Sequence, residues 1–476
     1  MKKSNDKKRI LNNSLLITIA TIFDKIFFLF ISILIARYLS KELYGEYTTA
    51  LGHAHFFAIL ANLGLNSSSV RAMSVDQKFR NIHFTNSLIL RTILTVFFFS
   101  FMLLSITWSN YNNNVIYLLI IFGFVRFGNE FMNGYYAYYD SKEKFLTSTI
   151  FTSSYSSLFL ITTIIIILLK GNYFHFALSR LVIIGILFIT IVFYTKRFFS
   201  FNYSKSKLKD LVKNTIPFSI QTMSFNFFNR FNIILIANFD SSVSTGIFQN
   251  GFIFFLTLSF IPDSFMRILL PYLYKRSFNA DKQKFQFTFD LFSKFFAIMS
   301  FYITTVFLLY AEKIITLIFT DKYSESVLII NILALGIPFL FNVSRIIMLA
   351  LNHHFANMKI FIIAVIANII LNLTLIKKFS TTGAAVAVVI TYFIIFIAGH
   401  IFLKVKGYIK VTRALIEFFV LGAISAICYL TGIHYMTNIH WILSLSIISV
   451  LFIVSVIIIF IRKNDIRIFK EALGRK

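Results

Sequence analysis

The chain has 476 residues, of which 58% are hydrophobic and only 14% are charged. No soluble core needs that much apolar surface, so the composition excludes an ordinary soluble domain and indicates a polytopic membrane protein. Only 4 prolines interrupt a dense spread of Ile, Leu and Phe, which favours helices over the alternating strands of a membrane barrel. The single cysteine, Cys428, excludes a disulfide framework. We expect an all-α polytopic membrane protein with no metal site and no cofactor.

The predicted elements, in chain order, are apolar segments that match the roughly 20 residues of a membrane span. The segment with Glu46, His53 and His55 is the least apolar of them, and the eleventh and thirteenth are short. Gly336 and Pro338 predict a bend in the tenth. We predict about fourteen spans: Ser14–Ala36, Tyr44–Leu65, Ser87–Trp108, Val115–Tyr139, Leu146–Leu169, Phe174–Tyr194, Thr215–Phe239, Thr245–Leu270, Leu291–Tyr310, Ser326–Leu351, Ile360–Ile376, Gly383–Phe402, Ala414–Thr431 and Trp441–Ile461.

The net charge of +27 is explained by the distribution of Lys and Arg over the connecting loops. The two tails and the even-numbered loops hold 31 of them, whereas the odd-numbered loops hold 7. Basic residues accumulate on the cytoplasmic side of membrane proteins, so both termini are predicted to be cytoplasmic. The same bias accounts for the positive charge without a nucleic-acid partner.

A basic connector and a weak internal repeat divide the chain into predicted parts. With an offset of 201 residues, Gly45-Glu46-Tyr47 falls on Gly246-Ile247-Phe248, and Lys25 falls on Asn226. Because both repeat units would begin in the cytoplasm, the halves would be parallel, as in some transporters. We predict an N-terminal lobe at 1–195, a basic cytoplasmic linker at 196–214, a C-terminal lobe at 215–404, and two further helices with a cytoplasmic tail at 405–476.

Charged side chains at mid-membrane depth are costly, so they are candidates for functional sites. Lys25, Arg126 and Arg230 lie several helical turns from either end of their predicted spans, and amide side chains accompany two of them along the chain. Arg345 lies in the cytoplasmic third of its span, and Arg180 lies in the outer third, from which snorkelling outward is an alternative. We expect these residues to line a hydrated substrate cavity more often than to form structural pairs: Lys25, Arg126, Arg230, Arg345, Arg180, Asn129, Asn226 and Asn229.

Two acidic residues at similar depth are candidates for ion or proton coupling. Asp24 is adjacent to Lys25, and the two side chains point about 100° apart on a helix, so they cannot fully pair. Glu130 lies four residues after Arg126, and an intrahelical ion pair between them is an equally good alternative. Three other basic residues lie near cytoplasmic helix ends, where their side chains would snorkel: Arg91, Arg267 and Lys294.

Four stretches carry a family resemblance. They are ARYLSKELYGEYTTA after the first predicted span, FFAILANLGLNSSSVR in the second, IPDSFMRILLPYLYKR at the eighth, and NIILNLTLIKKFSTTGAAVAVVITYF across the eleventh and twelfth. These stretches resemble polysaccharide flippases of the multidrug/oligosaccharidyl-lipid/polysaccharide exporter superfamily. One departure is that Arg230 has Asn neighbours where relatives often carry an acidic residue.

The resemblance implies two pseudo-symmetric six-helix bundles arranged in a V, with two C-terminal helices. It implies a flippase that moves undecaprenyl-diphosphate-linked oligosaccharide, such as O-antigen of lipopolysaccharide or a capsular repeat unit, from the cytoplasmic to the periplasmic leaflet of a bacterial inner membrane. Transport would proceed by alternating access through a cationic cavity. The expected partners are membrane lipid and the glycan polymerase machinery, and the expected state is a monomer.

Two alternatives share this fold, namely a multidrug or cation exporter and a peptidoglycan-precursor flippase. A cation exporter needs acidic residues in its spans, and here the deep bases outnumber the deep acids. A glycan polymerase or ligase would need a long outer loop with catalytic residues, whereas the predicted outer connectors are short. We therefore expect a transporter rather than an enzyme.

Overall fold

The computed structural model describes residues 23–196, 201–262, 282–351, 353–436 and 439–460. These ranges are almost entirely helical and contain no strand. The helices are α1 (23–38), α2 (Lys41–Asn62), α3 (Leu65–Val75), α4 (Arg80–Ile106), α5 (Asn113–Asp140), α6 (Phe145–Leu168), α7 (Tyr173–Lys196), α8 (Lys205–Phe239), α9 (Ser242–Leu258), α10 (Lys282–Phe319), α11 (Ser326–Ala334), α12 (Ile337–Leu340), α13 (Val343–Ala350), α14 (His354–Val405), α15 (Val411–Tyr435) and α16 (Trp441–Phe460).

The predicted fold class, an all-α polytopic membrane protein, is confirmed. Within the described ranges, nine helices are long and apolar enough to cross a membrane, or ten if the bent pair of α11 and α12–α13 is one span. Each predicted span falls at least partly on a helix, which is consistent with fourteen spans. The bend predicted around Gly336 and Pro338 is confirmed, because the two helices of that span meet at 52°. Pro338 lies in the first turn of α12, where a missing N–H costs nothing.

Local capping sets several helix boundaries. The Ser40 side chain accepts a hydrogen bond from Leu43 N at 3.3 Å, so α2 begins three residues before the predicted span. At its other end, Leu63 and Gly64 both adopt left-handed conformations that end α2 and start α3. On α5, Asn112 provides the equivalent cap to Val115 N at 2.9 Å.

The chain divides into two compact units, Met1–Gln249 and Asn250–Lys476. In the first unit, α2 packs against α4, α5 and α8, and α5 packs against α7. The polar residues of these helices therefore face one another in the interior of the unit. The lobe and linker boundaries stated above remain predictions; α8 begins at Lys205, inside the predicted linker.

The second unit has an apolar core between α10, α15 and α16. Its buried members are Ala297, Leu421, Ile424, Cys428, Ile448, Phe452 and Val456. The long helix α14 contains one non-helical residue, Ser380, and its two arms cross where a Cβ on Gly383 would overlap the Leu375 carbonyl. Glycine is required at that crossing because it lets two backbones touch.

Candidate functional site

A small cavity of about 30 Å³ lies inside the first unit in this conformation. Residues of α1, α2, α5, α7, α8 and α9 line it. Most of the polar lining consists of three arginines with hydroxyl and amide side chains: Arg126, Arg180, Arg230, Ser32, Tyr44, Tyr47, Thr48 and Gln249. We call this the arginine cavity. It brings together three of the basic residues that the sequence analysis singled out.

The three arginines are held by different helices; Arg180 is buried, and Arg126 and Arg230 are partly buried. Arg180 on α7 is only 3% exposed, and its guanidinium carbon lies 4.1 Å from the centre of the Phe159 ring. The rings of Tyr47 and Phe122 lie 5.9 Å from the same carbon. Aromatic faces attract cations, so these rings hold Arg180 against the cavity wall without neutralising its charge.

Arg126 is within electrostatic range of both Arg180 and Arg230. In the described part of the chain, none of the three has a carboxylate within 4.0 Å. The Nε atoms of Arg126 and Arg180 are buried and lack a hydrogen-bond acceptor among the described residues. Like charges held together in a poorly solvated place repel, so this arrangement favours an anion in the cavity.

Arg126 and Glu130 form no ion pair within 4.0 Å in the described structure. Glu130 stays within electrostatic range of Arg126, but its direct partner is a different arginine. Arg91 Nη1 lies 3.5 Å from Glu130 Oε2 and donates to the Glu130 carbonyl at 3.0 Å. Asn62 donates a further hydrogen bond to this carboxylate, and Arg91 Nη2 donates to Asn66 Oδ1 at 2.6 Å. The direct partner of the Glu130 carboxylate is therefore Arg91, and Arg126 lines the arginine cavity.

The snorkelling expected for Arg91 and Lys294 is wrong, and Arg267 lies outside the described residues. Arg91 is only 1% exposed, and Gly134 on α5 leaves the space against which its side chain lies. In the second unit, Lys294 is 8% exposed and lies 3.9 Å from Glu417 on α15. Both residues are buried in interhelical ion pairs rather than extended to the membrane surface.

Lys25 and Asp24 lie on α1 outside the lining of the arginine cavity. The Lys25 side chain is exposed, and Asp24 faces the hydroxyl groups of Thr152, Ser153 and Ser156 on α6. The roles predicted for Lys25 in substrate binding and for Asp24 and Glu130 in ion coupling remain predictions.

The other predicted site residues have varied positions. Arg345 belongs to the second unit, with its guanidinium carbon 5.5 Å from the Phe361 ring centre. Asn129 donates to the Val125 carbonyl of its own helix at 3.0 Å. Asn226 and Asn229 lie on α8, and their side chains are outside the described part of the structure.

A hydrogen-bonded cluster joins helices at the end of the first unit that is predicted to face outward. Glu46 accepts from Asn112 at 2.5 Å and from Tyr173 at 2.9 Å. His53 lies 2.9 Å from the Tyr111 hydroxyl and 2.8 Å from Ser105 Oγ. These bonds connect α2 to α4, α7 and the loop before α5, and they hold this end together in the present conformation.

Sequence reasoning missed several polar neighbours of the arginines. Tyr47 and Gln249 line the cavity, and each is largely buried. His55 lies within electrostatic range of Arg126, Arg180 and Arg230, and its buried Nδ1 has no hydrogen-bond partner among the described residues. Only the polar character of these residues in an apolar span could have pointed to them.

Comparisons with known proteins agree on one family. A family model described as "Polysaccharide biosynthesis protein" matches residues 10–276. The capsular polysaccharide biosynthesis protein CapF of Staphylococcus aureus is 24% identical over 79% of this chain and 94% of its own length.

Two solved structures share the fold. The lipid II flippase MurJ in an inward closed conformation has a TM-score of 0.76 at 17% identity, covering 97% of this chain and 100% of its own. An inward-facing multidrug resistance MATE transporter has a TM-score of 0.63 at 15% identity, covering 84% and 96%.

Proposed function

Because the chain belongs to the polysaccharide biosynthesis protein family, we propose that it is a flippase for a lipid-linked glycan. Its substrate is an undecaprenyl-diphosphate-linked oligosaccharide, either a capsular repeat unit or an O-antigen unit. It moves this substrate from the cytoplasmic to the outer leaflet of a bacterial inner membrane, with both of its termini in the cytoplasm. The observation that carries the proposal is the arginine cavity, which gathers three cations and has no carboxylate among its described lining residues.

The chemistry of the cavity suits a diphosphate. The guanidinium group forms paired hydrogen bonds to phosphate oxygens, and it keeps its charge when buried. A diphosphate with two or more negative charges would offset the mutual repulsion of Arg126, Arg180 and Arg230. The same charges disfavour the cationic substrates of a multidrug exporter, although that class shares the fold.

Alternating access would require the outer end of the first unit to open. In this conformation the hydrogen bonds of Glu46 and His53 join α2 to its neighbours there. We infer that release of substrate to the outer leaflet requires these bonds to break. Lys25 and Arg345 would contact the diphosphate or glycan at other stages of the cycle, and Asp24 or Glu130 would bind the coupling ion.

The direct test is neutralisation of the cavity. We expect Arg126→Gln and Arg230→Gln to abolish surface glycan while leaving the protein in the membrane. Each lost charge-assisted hydrogen bond is worth about 1.5–3 kcal/mol, or roughly 10- to 100-fold in affinity for the diphosphate. The measurement is surface glycan by blotting, beside quantification of the flippase in membranes. Arg37→Gln, an exposed arginine of α1, serves as the control.

Two outcomes would argue against this assignment. Normal glycan display by both Gln variants would remove Arg126 and Arg230 from the site. Deletion of the gene should cause one lipid-linked glycan to accumulate on the inner leaflet. If that species were the peptidoglycan precursor, the peptidoglycan-precursor flippase would replace the capsule or O-antigen flippase as the function.

A further inference from the structure

A second and larger recess lies in the first unit, between α3, α5 and α6. It is an open groove with a volume of about 620 Å³. Its lining is polar along all three helices and includes Asn66, Arg71, Asn133, Tyr136, Asp140 and Thr149. We call it the amide groove. The family match assigns no role to this groove.

The chemistry of the amide groove differs from that of the arginine cavity. Its described lining has one cation, Arg71, and one carboxylate, Asp140, and its other polar groups are neutral amides and hydroxyls. Ser148 donates to Asp140 at 2.6 Å, so this carboxylate is already partly satisfied. A surface with balanced charge, many neutral donors and acceptors, and a tyrosine ring suits a polyhydroxylated ligand better than it suits an anion.

The amides that line the groove are held by the buried ion pair behind it. Asn66 accepts from Arg91 through its oxygen, and its amide nitrogen makes no further hydrogen bond within the described residues. Asn133 lies one turn after Glu130, and its side-chain amide donates a hydrogen bond to the same carboxylate. The Arg91–Glu130 pair therefore fixes two side chains whose other polar atoms are available to the groove. Preorganised amides of this kind lose little entropy when they bind a ligand.

From these observations we propose that the amide groove is the subsite for the sugar part of the lipid-linked substrate. This assignment depends on the proposed function. Sugar hydroxyls would exchange hydrogen bonds with Asn66, Asn133 and Thr149, and the Tyr136 ring would cover an apolar sugar face. The two recesses then divide the recognition, because the arginine cavity selects the diphosphate and the groove selects the glycan.

The test compares two probes on the purified full-length protein in lipid nanodiscs. One probe is undecaprenyl diphosphate, and the other is the lipid-linked glycan extracted from a strain lacking this gene. The variant Asn133→Leu/Thr149→Val keeps side-chain volume but removes an amide and a hydroxyl from the groove. We expect it to bind the glycan-bearing lipid at least tenfold more weakly and undecaprenyl diphosphate as the wild type does.

Thr162→Val is the matched control, because Thr162 lies on the same helix as Thr149 but outside the groove lining. It should bind both probes normally. The variant Asn133→Leu/Thr149→Ser keeps a hydroxyl at position 149. It should bind the glycan-bearing lipid more tightly than Asn133→Leu/Thr149→Val, which would show that the loss is not misfolding.

The outcomes separate this inference from the proposed function. If the wild type binds both probes and the groove variant does too, the groove assignment is overturned and the flippase proposal stands. An equal loss of both probes in the groove variant would also overturn it, because the effect would not be specific to sugar. Failure of the wild type to bind undecaprenyl diphosphate would overturn the flippase proposal and the groove assignment together.

Discussion

Two arginines on neighbouring helices, Arg91 and Arg126, illustrate opposite uses of a buried charge. Arg91 is paired with Glu130 and has two further hydrogen-bond acceptors. Arg126 has other arginines nearby and no described carboxylate within 4.0 Å. Removing one partner of a buried ion pair leaves an uncompensated charge, whereas removing one of several clustered like charges relieves their repulsion.

This contrast predicts opposite effects on stability. Arg91→Met should lower the free energy of unfolding by about 3–5 kcal/mol, because it leaves the Glu130 carboxylate buried without its cation. Arg126→Met should leave stability unchanged or higher while abolishing glycan display. Unfolding in mixed micelles, followed by tryptophan fluorescence or circular dichroism, measures both.

The double variant Arg91→Met/Glu130→Leu provides the control, because it removes both charges together. It should recover most of the stability lost in Arg91→Met. If Arg91→Met unfolds at the same denaturant concentration as the wild type, the stabilising role of this pair is wrong.

At the level of elements, the start of α8 is attached to α3 and α4 by polar contacts. Asp76 follows α3 and accepts from Lys207 at 2.6 Å, while His83 Nε2 lies 3.2 Å from the same carboxylate oxygen. Asn86 on α4 donates to the Ser204 carbonyl at 2.9 Å. These contacts bind the last residues of the predicted linker to the first unit, so part of that linker is ordered helix.

The Asp76 contact should respond to acid. The hydrogen bond from Lys207, followed by that from His83, lowers the pKa of Asp76 below its usual value of about 3.9. Because the folded-state pKa is depressed, the stabilisation is present above the unfolded pKa and is lost as pH falls through the folded one. After correction for intrinsic rates, hydrogen exchange in the first turns of α8 should therefore accelerate below about pH 4.

In Asp76→Asn, that exchange should already be fast at neutral pH and show little further acceleration. Glu42→Gln, which changes a carboxylate at the start of α2, should leave the pH dependence of α8 intact. Slow exchange in Asp76→Asn at neutral pH would show that this carboxylate does not hold α8.

At the scale of the whole molecule, two glycines at equivalent positions of the predicted internal repeat are in contact. Gly45 and Gly246, which the 201-residue offset aligns, lie against each other in the first unit. A Cβ on Gly246 would lie 3.2 Å from Gly45 Cα, and a Cβ on Gly45 would overlap the Ser242 carbonyl. Small residues permit such close approach of membrane helices, so this glycine pair allows α2 and the start of α9 to touch.

Enlarging one glycine should open this contact. In a Cys428→Ala background, we expect Gly45→Leu to make a cysteine at the cavity residue Ser32 react several-fold faster with an impermeant maleimide applied from outside. The reason is that the leucine side chain cannot fit between α2 and α9. Gly185→Leu is the control, because a Cβ there meets nothing within 4 Å. Equal labelling in the two variants would contradict the prediction that this glycine contact limits access to the cavity from outside.

The sequence alone determined the class of protein, the approximate position of the helices and the broken tenth span. These features depend on local hydropathy, on caps such as Ser40 and on Pro338 in the tenth span. Each of these determinants affects only the few residues next to it in the chain. The resemblance in four stretches likewise identified the family that the family model matched. The sequence also singled out three of the arginines that line the cavity, because a charged residue is visible within an apolar run. These are Arg126, Arg180 and Arg230.

Only the tertiary structure decided which of these charges meet. The spacing of Arg126 and Glu130 allowed a pair within one helix, but the approach of α4 to α5 at Gly134 delivered Arg91 to that carboxylate instead. The facing of Gly45 with Gly246 and the existence of the amide groove were equally invisible, because each depends on residues far apart in the chain. The energy of an ion pair falls with the separation of its charges, and the shape of a cavity depends on how helices pack. Both are therefore set by the tertiary structure and not by the order of residues along each helix.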